Sequence, residues 1–286
     1  MTVTQVKRIV EITVYTMLVV FAVITLIPFA HMLAGALKTK FDYAATLFLP
    51  AGDGFLGIGW DRITVDNFVR LFTELKISRA MLNSLFLSSV TSSLTVLFCS
   101  MGGYALSKLQ FKGREAVTMV VLVALIIPGP LLLAPGFKLL YQLGLLNTYT
   151  GLILPGLTPA FGVFLFRQAM LNGIPSELLE AARIDGANEA RIFFSLVLPL
   201  VRPMMGAYLM ISFMGTWNNF ISPQIILQSP DLQPLSVALN SLKGIYGTDY
   251  GLIMAGTIVS IAPVMCIFLL LQREFIAGLT GGAVKG

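Results

Sequence analysis

The chain has few of the side chains on which chemistry in soluble enzymes depends. Only 12% of its 286 residues are charged, compared with about 25% in an ordinary soluble domain. It has one histidine, His31, and two cysteines, Cys99 and Cys266. A histidine-based triad or a His/Cys metal site cannot be assembled from this inventory. Both cysteines fall within apolar runs, so we expect each to be buried as a small apolar residue. The sequence predicts no catalytic residue, no metal site and no cofactor.

The sequence also has no phosphate-binding loop of the form G-x-x-x-x-G-K-[ST], and the glycine-rich ending 281–286 lacks that spacing. We therefore expect that the chain alone does not hydrolyse ATP. Its apolar runs have no acidic residue near their centres, although a proton-coupled carrier normally needs one. The net charge of +5 includes no basic stripe interleaved with aromatics, so no nucleic-acid partner is expected. Energy for any active process is therefore expected to come from outside this chain.

Apolar residues dominate the chain, at 56% of the composition with a mean hydropathy of +0.85. Six runs approach the roughly 20 residues that a helix needs to cross about 30 Å of hydrocarbon. They are 9–32, 82–106, 117–137, 150–170, 203–226 and 251–271. The first run follows Lys7 and Arg8 as in a signal peptide, but it exceeds the 7–15-residue apolar core of such peptides, so we interpret it as an uncleaved span. The sequence predicts an all-α integral membrane protein with six transmembrane helices.

Basic residues predict the orientation. Eleven of the 19 Lys and Arg residues fall on one side of this topology, many in short loops such as 107–115, whereas six of the other eight fall in the long segment 38–79. Short loops carry the positive-inside signal, so both termini are expected in the cytoplasm and 41–74 outside it. The predicted organisation is a first span with a long extracytoplasmic loop (1–78), a transmembrane core (79–273) with a cytoplasmic loop (172–202), and a tail (274–286).

A polar segment between the fourth and fifth runs predicts a helix-turn-helix knuckle. Ser176 is expected to supply the N-cap of a run of helix-forming residues with an acidic first turn. Asp185 and Gly186 end that helix, and a second short helix is expected over 188–196, ending before Pro199. Residue chemistry alone is equally compatible with an amphipathic hairpin on the membrane surface.

The knuckle resembles the loop that marks the membrane subunits of bacterial ABC importers. The shared pattern is Glu180-Ala181-Ala182, three residues, Gly186, nine residues, and Leu196-Val197-Leu198-Pro199. Further segments resemble the maltose-type sugar permeases, and the resemblance covers most of the chain from Asn83 onward. These segments are Asn83-Ser84, Gly103-Tyr104-Ala105-Leu106, 143–149, Trp217-Asn218 and Gly278-Leu279-Thr280.

This resemblance implies a type I ABC importer permease fold with cytoplasmic coupling helices, in the bacterial inner membrane. The implied partners are a second permease subunit, two ATP-binding subunits, an extracytoplasmic solute-binding protein and a sugar substrate. In the family, the loop docks on the ATP-binding subunit. Glu180 is then expected to meet a basic residue there, with Glu177 and Arg183 at i, i+3 spacing on the same helix. The residues implied in coupling are Glu177, Glu180, Ala181, Ala182, Arg183, Asp185, Gly186, Leu198 and Pro199.

The fifth run contains the candidate substrate path, where Thr216, Trp217, Asn218 and Asn219 place hydrogen-bonding groups beside an indole. An aromatic face with amide groups suits a sugar. An interfacial tryptophan belt with asparagines joining helices explains the same residues equally well. Pro128, Pro130, Pro155 and Pro159 predict breaks in the third and fourth spans. Broken helices also occur in ion-coupled secondary carriers, so such a carrier, or a structural membrane subunit, is the alternative function.

Overall fold

The computed structural model describes residues 3–75, 77–244 and 247–280. Lys76 and the end of the predicted tail, including Lys285, lie outside the described residues. The α-helices are α1 Val3–Ala36, α2 Lys40–Ala45, α3 Asp66–Thr73, α4 Ile77–Lys108, α5 Arg114–Ala124, α6 Leu133–Gln142, α7 Tyr149–Ile153, α8 Ala160–Gly173, α9 Ser176–Ile184, α10 Glu189–Ile192, α11 Leu198–Leu200, α12 Arg202–Trp217, α13 Ile221–Ile226, α14 Leu235–Asn240 and α15 Tyr250–Thr280. Short 3₁₀ turns are Phe55–Gly57, Trp60–Arg62, Gly129–Leu132, Leu154–Gly156 and Pro230–Leu232. Two antiparallel two-residue strands are β1 Lys243–Gly244 and β2 Gly247–Thr248.

Three helices are long and apolar enough to cross a membrane without a break, namely α1, α4 and α15. Three bent helix pairs also reach that length, so by length and composition the described residues provide up to six spans. The pairs bend by 104° between Ala124 and Gly129, by 41° between Gly156 and Ala160, and by 81° between Leu200 and Arg202. Pro128 lies in the first of these bends and Pro159 in the second, whereas Pro130 and Pro155 lie in the adjoining 3₁₀ turns Gly129–Leu132 and Leu154–Gly156. The predicted all-helical membrane fold is confirmed.

The fifth predicted span, 203–226, is wrong as one continuous helix. Helix α12 ends at Trp217, and α13 starts at Ile221. Pro223 has no N–H to donate to the Asn219 carbonyl, so a helix through this point would lose that bond. The carbonyl instead accepts a hydrogen bond from the Ser236 hydroxyl at 2.8 Å. The break is therefore stabilised by a side chain that comes 13 residues after Pro223.

The chain divides into two compact units, of which the first comprises Met1–Ile77 and Leu239–Ile261. Its interior contains polar anchors as well as apolar residues. The Asn67 amide donates to the backbone carbonyls of Ala36 and Lys38, both at 2.9 Å. The Lys38 ammonium is buried and donates to the Thr46 carbonyl at 2.7 Å. These bonds fix the segment that follows α1.

The second unit comprises Ser78–Ala238 and Ala262–Gly286. Its apolar core joins α4, α8 and the knuckle helices through residues such as Phe166, Met170 and Ile192. Cys99 is buried in this core, as predicted, but the expectation for Cys266 is wrong because that residue is exposed on α15. Apolar surroundings in the sequence do not distinguish a protein core from an apolar outer surface, since both faces of a membrane helix are apolar.

Candidate functional site

The knuckle has the predicted helix, turn and second helix. Helix α9 begins at Ser176, with Pro175 rather than Ser176 at the N-cap position. Gly186 has φ of +82°, a backbone conformation that costs little only for glycine. The Ala187 amide donates to the Ala182 carbonyl at 3.0 Å and the Gly186 amide to the Arg183 carbonyl at 3.0 Å, which closes the turn. The sequence of this turn therefore determines its backbone shape locally.

The end of the second knuckle helix differs from the prediction. The helix does not stop before Pro199 but continues from Glu189 to Leu200, with a π-helical turn over Phe193–Val197. The Leu198 amide donates to the Phe193 carbonyl, five residues earlier. This wider turn disrupts the regular i to i−4 ladder just before Pro199, which has no N–H to contribute to it. The chain direction changes at Val201 instead.

Three side chains connect the knuckle to α4. The Arg183 Nε donates to the Glu189 Oε1 at 2.7 Å, and the Tyr104 hydroxyl donates to the Glu189 Oε2 at 2.5 Å. The hydrogen bond from Arg183, followed by that from Tyr104, lowers the pKa of Glu189 below its usual value. Tyr104 is only 4% exposed and packs beside Phe193, with ring centroids 5.6 Å apart. We call Tyr104, Arg183 and Glu189 the anchor cluster.

The candidate coupling residues lie mostly on the outer face of the knuckle. Glu180 is exposed and forms no ion pair with a described residue, whereas Arg183 pairs with Glu189 and not with Glu177 or Glu180. Ile184 is 86% exposed, which is unusual for an isoleucine beside a charged helix. The other exposed candidates are Glu177, Ala181, Asp185, Gly186 and Pro199, and the half-buried ones are Ala182 and Leu198.

A cavity of about 390 Å³ lies within the second unit, between α4, the broken third and fourth spans and the α12–α13 break. Such a volume is within the range of about 300–1,000 Å³ typical of small-ligand sites. Its lining combines leucines and isoleucines with the polar side chains of Ser84, Ser88, Thr91, Ser212, Thr216, Asn219 and Ser222. All of its lining residues are uncharged.

Of the four candidate path residues, two line this cavity and two do not. Thr216 and Asn219 line it. Trp217 is 5% exposed and stacks on Phe213 with ring centroids 5.7 Å apart, so its indole belongs to the helix packing. Asn218 is exposed and is not among the lining residues. Both asparagines lie in the break after α12, where Asn218 is the C-cap residue and the Asn219 Oδ1 accepts from the Ser222 amide, so the two neighbours have different surroundings.

The structure adds functional candidates that the sequence did not single out. Glu189 lies six residues after Arg183, which is not a helical i, i+3 or i, i+4 spacing, so only the Gly186 turn brings the two together. Tyr104 was noted within a family-like segment, but its bond to Glu189 spans 85 residues. Ser84, Ser88 and Thr91 are spaced so that they share one face of α4, and this spacing could have predicted a polar cavity wall from the sequence.

A helical membrane fold with an exposed knuckle and a neutral cavity lined by broken helices is the architecture of a membrane transport permease. Residues 99–275 match the model of the family described as the binding-protein-dependent transport system inner membrane component. The chain belongs to this family.

Two relatives illustrate the similarity. The chain is 44% identical over 225 residues to the arabinooligosaccharides transport system permease protein AraQ of Halalkalibacterium halodurans, covering 78% of this chain and 80% of the relative. It is 33% identical over 282 residues to the lactose transport system permease protein LacG of Rhizobium radiobacter, covering 96% and 97%. The second match extends the family similarity over nearly the whole chain.

The fold is also similar to that of a solved structure. A chain of a bacterial ABC transporter involved in the import of the acidic polysaccharide alginate matches with a TM-score of 0.78 at 22% identity, covering 94% of this chain and 97% of that one. At this identity the match shows the fold alone.

Proposed function

We propose that this protein is a permease subunit of an ATP-driven sugar importer and forms half of its translocation pathway. The observation that carries the proposal is the knuckle geometry: a short helix with exposed Glu180, ended by Gly186 at φ of +82°. Family membership and relatives whose names refer to arabinooligosaccharide and lactose transport support it. A second permease subunit, two ATP-binding subunits and an extracytoplasmic solute-binding protein would complete the transporter.

In this proposal, the loop 177–199 transmits closure of the ATP-binding subunits to the membrane helices. The exposed face of α9 contacts the ATP-binding subunit through Glu180, with Ala181 leaving the contact shallow. Ile184 adds an apolar contact at the turn, because an isoleucine that is 86% exposed gains free energy when a partner covers it. The anchor cluster connects this surface to α4, so that a displacement of the knuckle reaches a membrane-spanning helix.

Reconstitution distinguishes this function from an ion-coupled carrier. The subunit and its copurified partners are placed in proteoliposomes, and uptake of labelled arabinotriose, lactose and raffinose is measured with the binding protein present. We expect uptake to require ATP and to persist when ion gradients are collapsed. Uptake driven by a proton or sodium gradient without ATP would contradict the proposal. If the copurified partners hydrolyse ATP but none of the sugars is taken up, a structural role for this subunit would be favoured.

We further propose that both termini are cytoplasmic and that 41–74 is extracytoplasmic, on the basis of the basic residues in the short loops. Asp53→Cys should react with a membrane-impermeant thiol reagent in intact cells, in a background where Cys266 is replaced by Ser. Labelling only after permeabilisation would reverse this orientation.

A further inference from the structure

One face of α4 carries a row of hydroxyl groups toward the broken helices of the second unit. The Ser84 Oγ accepts a hydrogen bond from the Leu235 amide at 2.7 Å. Two turns beyond the cavity-lining Ser88, the Thr95 Oγ1 donates to the Gly156 carbonyl at 3.0 Å. Both bonds satisfy backbone groups at places where other helices begin or break. The hydroxyls at the two ends of the row therefore have structural partners.

Ser88, between them, has none. It is 1% exposed, it lines the cavity, and its Oγ forms no hydrogen bond with any described residue. Thr91, one turn further along α4, is 8% exposed, lines the same cavity and has no hydrogen-bond partner among the described residues either. A buried hydroxyl without a partner destabilises the folded protein, so such groups normally bind water or a ligand. These two hydroxyls are available to a molecule in the cavity.

The α12–α13 break supplies complementary groups in the same cavity. The Asn219 Oδ1 accepts from the Ser222 amide at 3.3 Å, and the Asn219 carbonyl accepts from Ser236, whereas its side-chain NH₂ donates to no described residue. The lining therefore presents hydroxyls that both donate and accept, together with amide donors, amid leucine and isoleucine side chains. With no charge in the lining, an anionic or cationic ligand would lose its hydration without compensation. A neutral polyhydroxylated ligand fits these constraints.

We propose that Ser88 and Thr91 form a subsite that binds hydroxyl groups of a neutral saccharide during its passage through this subunit. The proposal rests on the proposed function and assigns part of the sugar contact to α4, in addition to Thr216 and Asn219.

Ser88→Ala tests the subsite, with Ser92→Ala as the matched control. Ser92 is also a serine of α4 that is 1% exposed, but its Oγ bonds to the Ser89 carbonyl of the same helix at 3.2 Å and does not line the cavity. Uptake of arabinotriose, lactose and raffinose is measured in proteoliposomes at saturating binding protein, and the thermal midpoint of each purified complex is recorded. We expect Ser88→Ala to reduce the uptake rate by roughly 2–10-fold, the effect of one lost neutral hydrogen bond. Its midpoint should be equal to or above that of the wild type, because an unpartnered buried hydroxyl has been removed.

If Ser88→Ala takes up these sugars at the same rate as Ser92→Ala, the subsite is refuted while sugar import stands. A lower midpoint with proportional loss of assembled complex would assign Ser88 to structure and also refute the subsite. Equal uptake of a trisaccharide of uronic acids would contradict selection for a neutral ligand. If the wild-type complex takes up none of the three sugars, the proposed function fails, and the subsite fails with it.

Discussion

The bond between Tyr104 and Glu189 gives the most specific prediction for coupling. Tyr104→Phe removes one hydroxyl and retains the ring, which is 4% exposed and packs beside Phe193. A hydrogen bond to a charged group contributes about 1.5–3 kcal/mol. The Arg183–Glu189 pair that remains is 36% and 46% exposed, so solvent screening limits its contribution to about 0–1 kcal/mol. That pair joins α9 to α10 within the knuckle, so the Tyr104 hydroxyl is expected to be the main polar attachment of the knuckle to α4.

We expect Tyr104→Phe to lower the thermal midpoint of the purified complex and to reduce ATP hydrolysis stimulated by the loaded binding protein, with basal hydrolysis retained. Tyr141→Phe is the control, because Tyr141 is 70% exposed and its hydroxyl forms no bond with a described residue. Glu189→Gln should have a smaller effect, since an amide oxygen still accepts from Tyr104. The double variant should then show coupling between the two positions. If Tyr104→Phe matches Tyr141→Phe in midpoint and in stimulated hydrolysis, the anchor cluster does not attach the knuckle.

Three further predictions concern the turn, the path and the helix packing. Gly186→Val should cost more than about 1 kcal/mol at a positive φ and reduce uptake together with stimulated ATP hydrolysis. Asn219→Ala should weaken uptake, measured in proteoliposomes, more than Asn218→Ala, because only Asn219 lines the cavity. Gly103→Ala should destabilise the second unit by about 1–3 kcal/mol in thermal unfolding, since an added Cβ would lie 2.6 Å from the Phe166 Cβ. Gly102→Ala should be tolerated, because its nearest neighbour would be 3.4 Å away.

Each of these has an outcome that contradicts it. Gly173 has open space where a Cβ would lie and no positive φ, so Gly173→Val measures the effect of β-branching alone. If Gly173→Val and Gly186→Val lose uptake and stimulated ATP hydrolysis equally, the Gly186 turn has no special role. Equal uptake by Asn218→Ala and Asn219→Ala, with lower thermal midpoints for both, would move these residues from the path to helix packing. Equal midpoints for the Gly102 and Gly103 variants would refute the close approach of α4 to α8.

Local sequence predicts the knuckle turn well because its conformation depends on few residues. Gly186 adopts the positive φ that its position after a helix implied, and α9 starts where Ser176 opens the polar segment. The end of the second helix depends on a π-helical turn before Pro199. The sequence rule that proline ends a helix does not anticipate this arrangement, since a wider turn removes the conflict.

Contacts between distant segments account for what the sequence missed. The partners of Tyr104 and Asn219 come from other helices, so the side chains that anchor the knuckle and line the cavity emerge only when the helices pack. A run of apolar residues also predicts a helix without telling which face meets protein, and for this reason Cys266 was expected to be buried. Hydropathy predicted the three unbroken spans, while the break at 218–220 depends on Pro223 and on Ser236.

In the proposed function, the knuckle couples this permease to a separate ATP-binding subunit. The most direct test replaces Glu180 in living cells with a benzophenone-bearing residue and identifies the protein cross-linked to it on irradiation. The same replacement at Asp53, in the first unit, serves as the control. We expect the Glu180 position to capture an ATP-binding subunit and the Asp53 position not to capture one. An assembled, sugar-transporting complex in which Glu180 captures only lipid or a membrane subunit would contradict it.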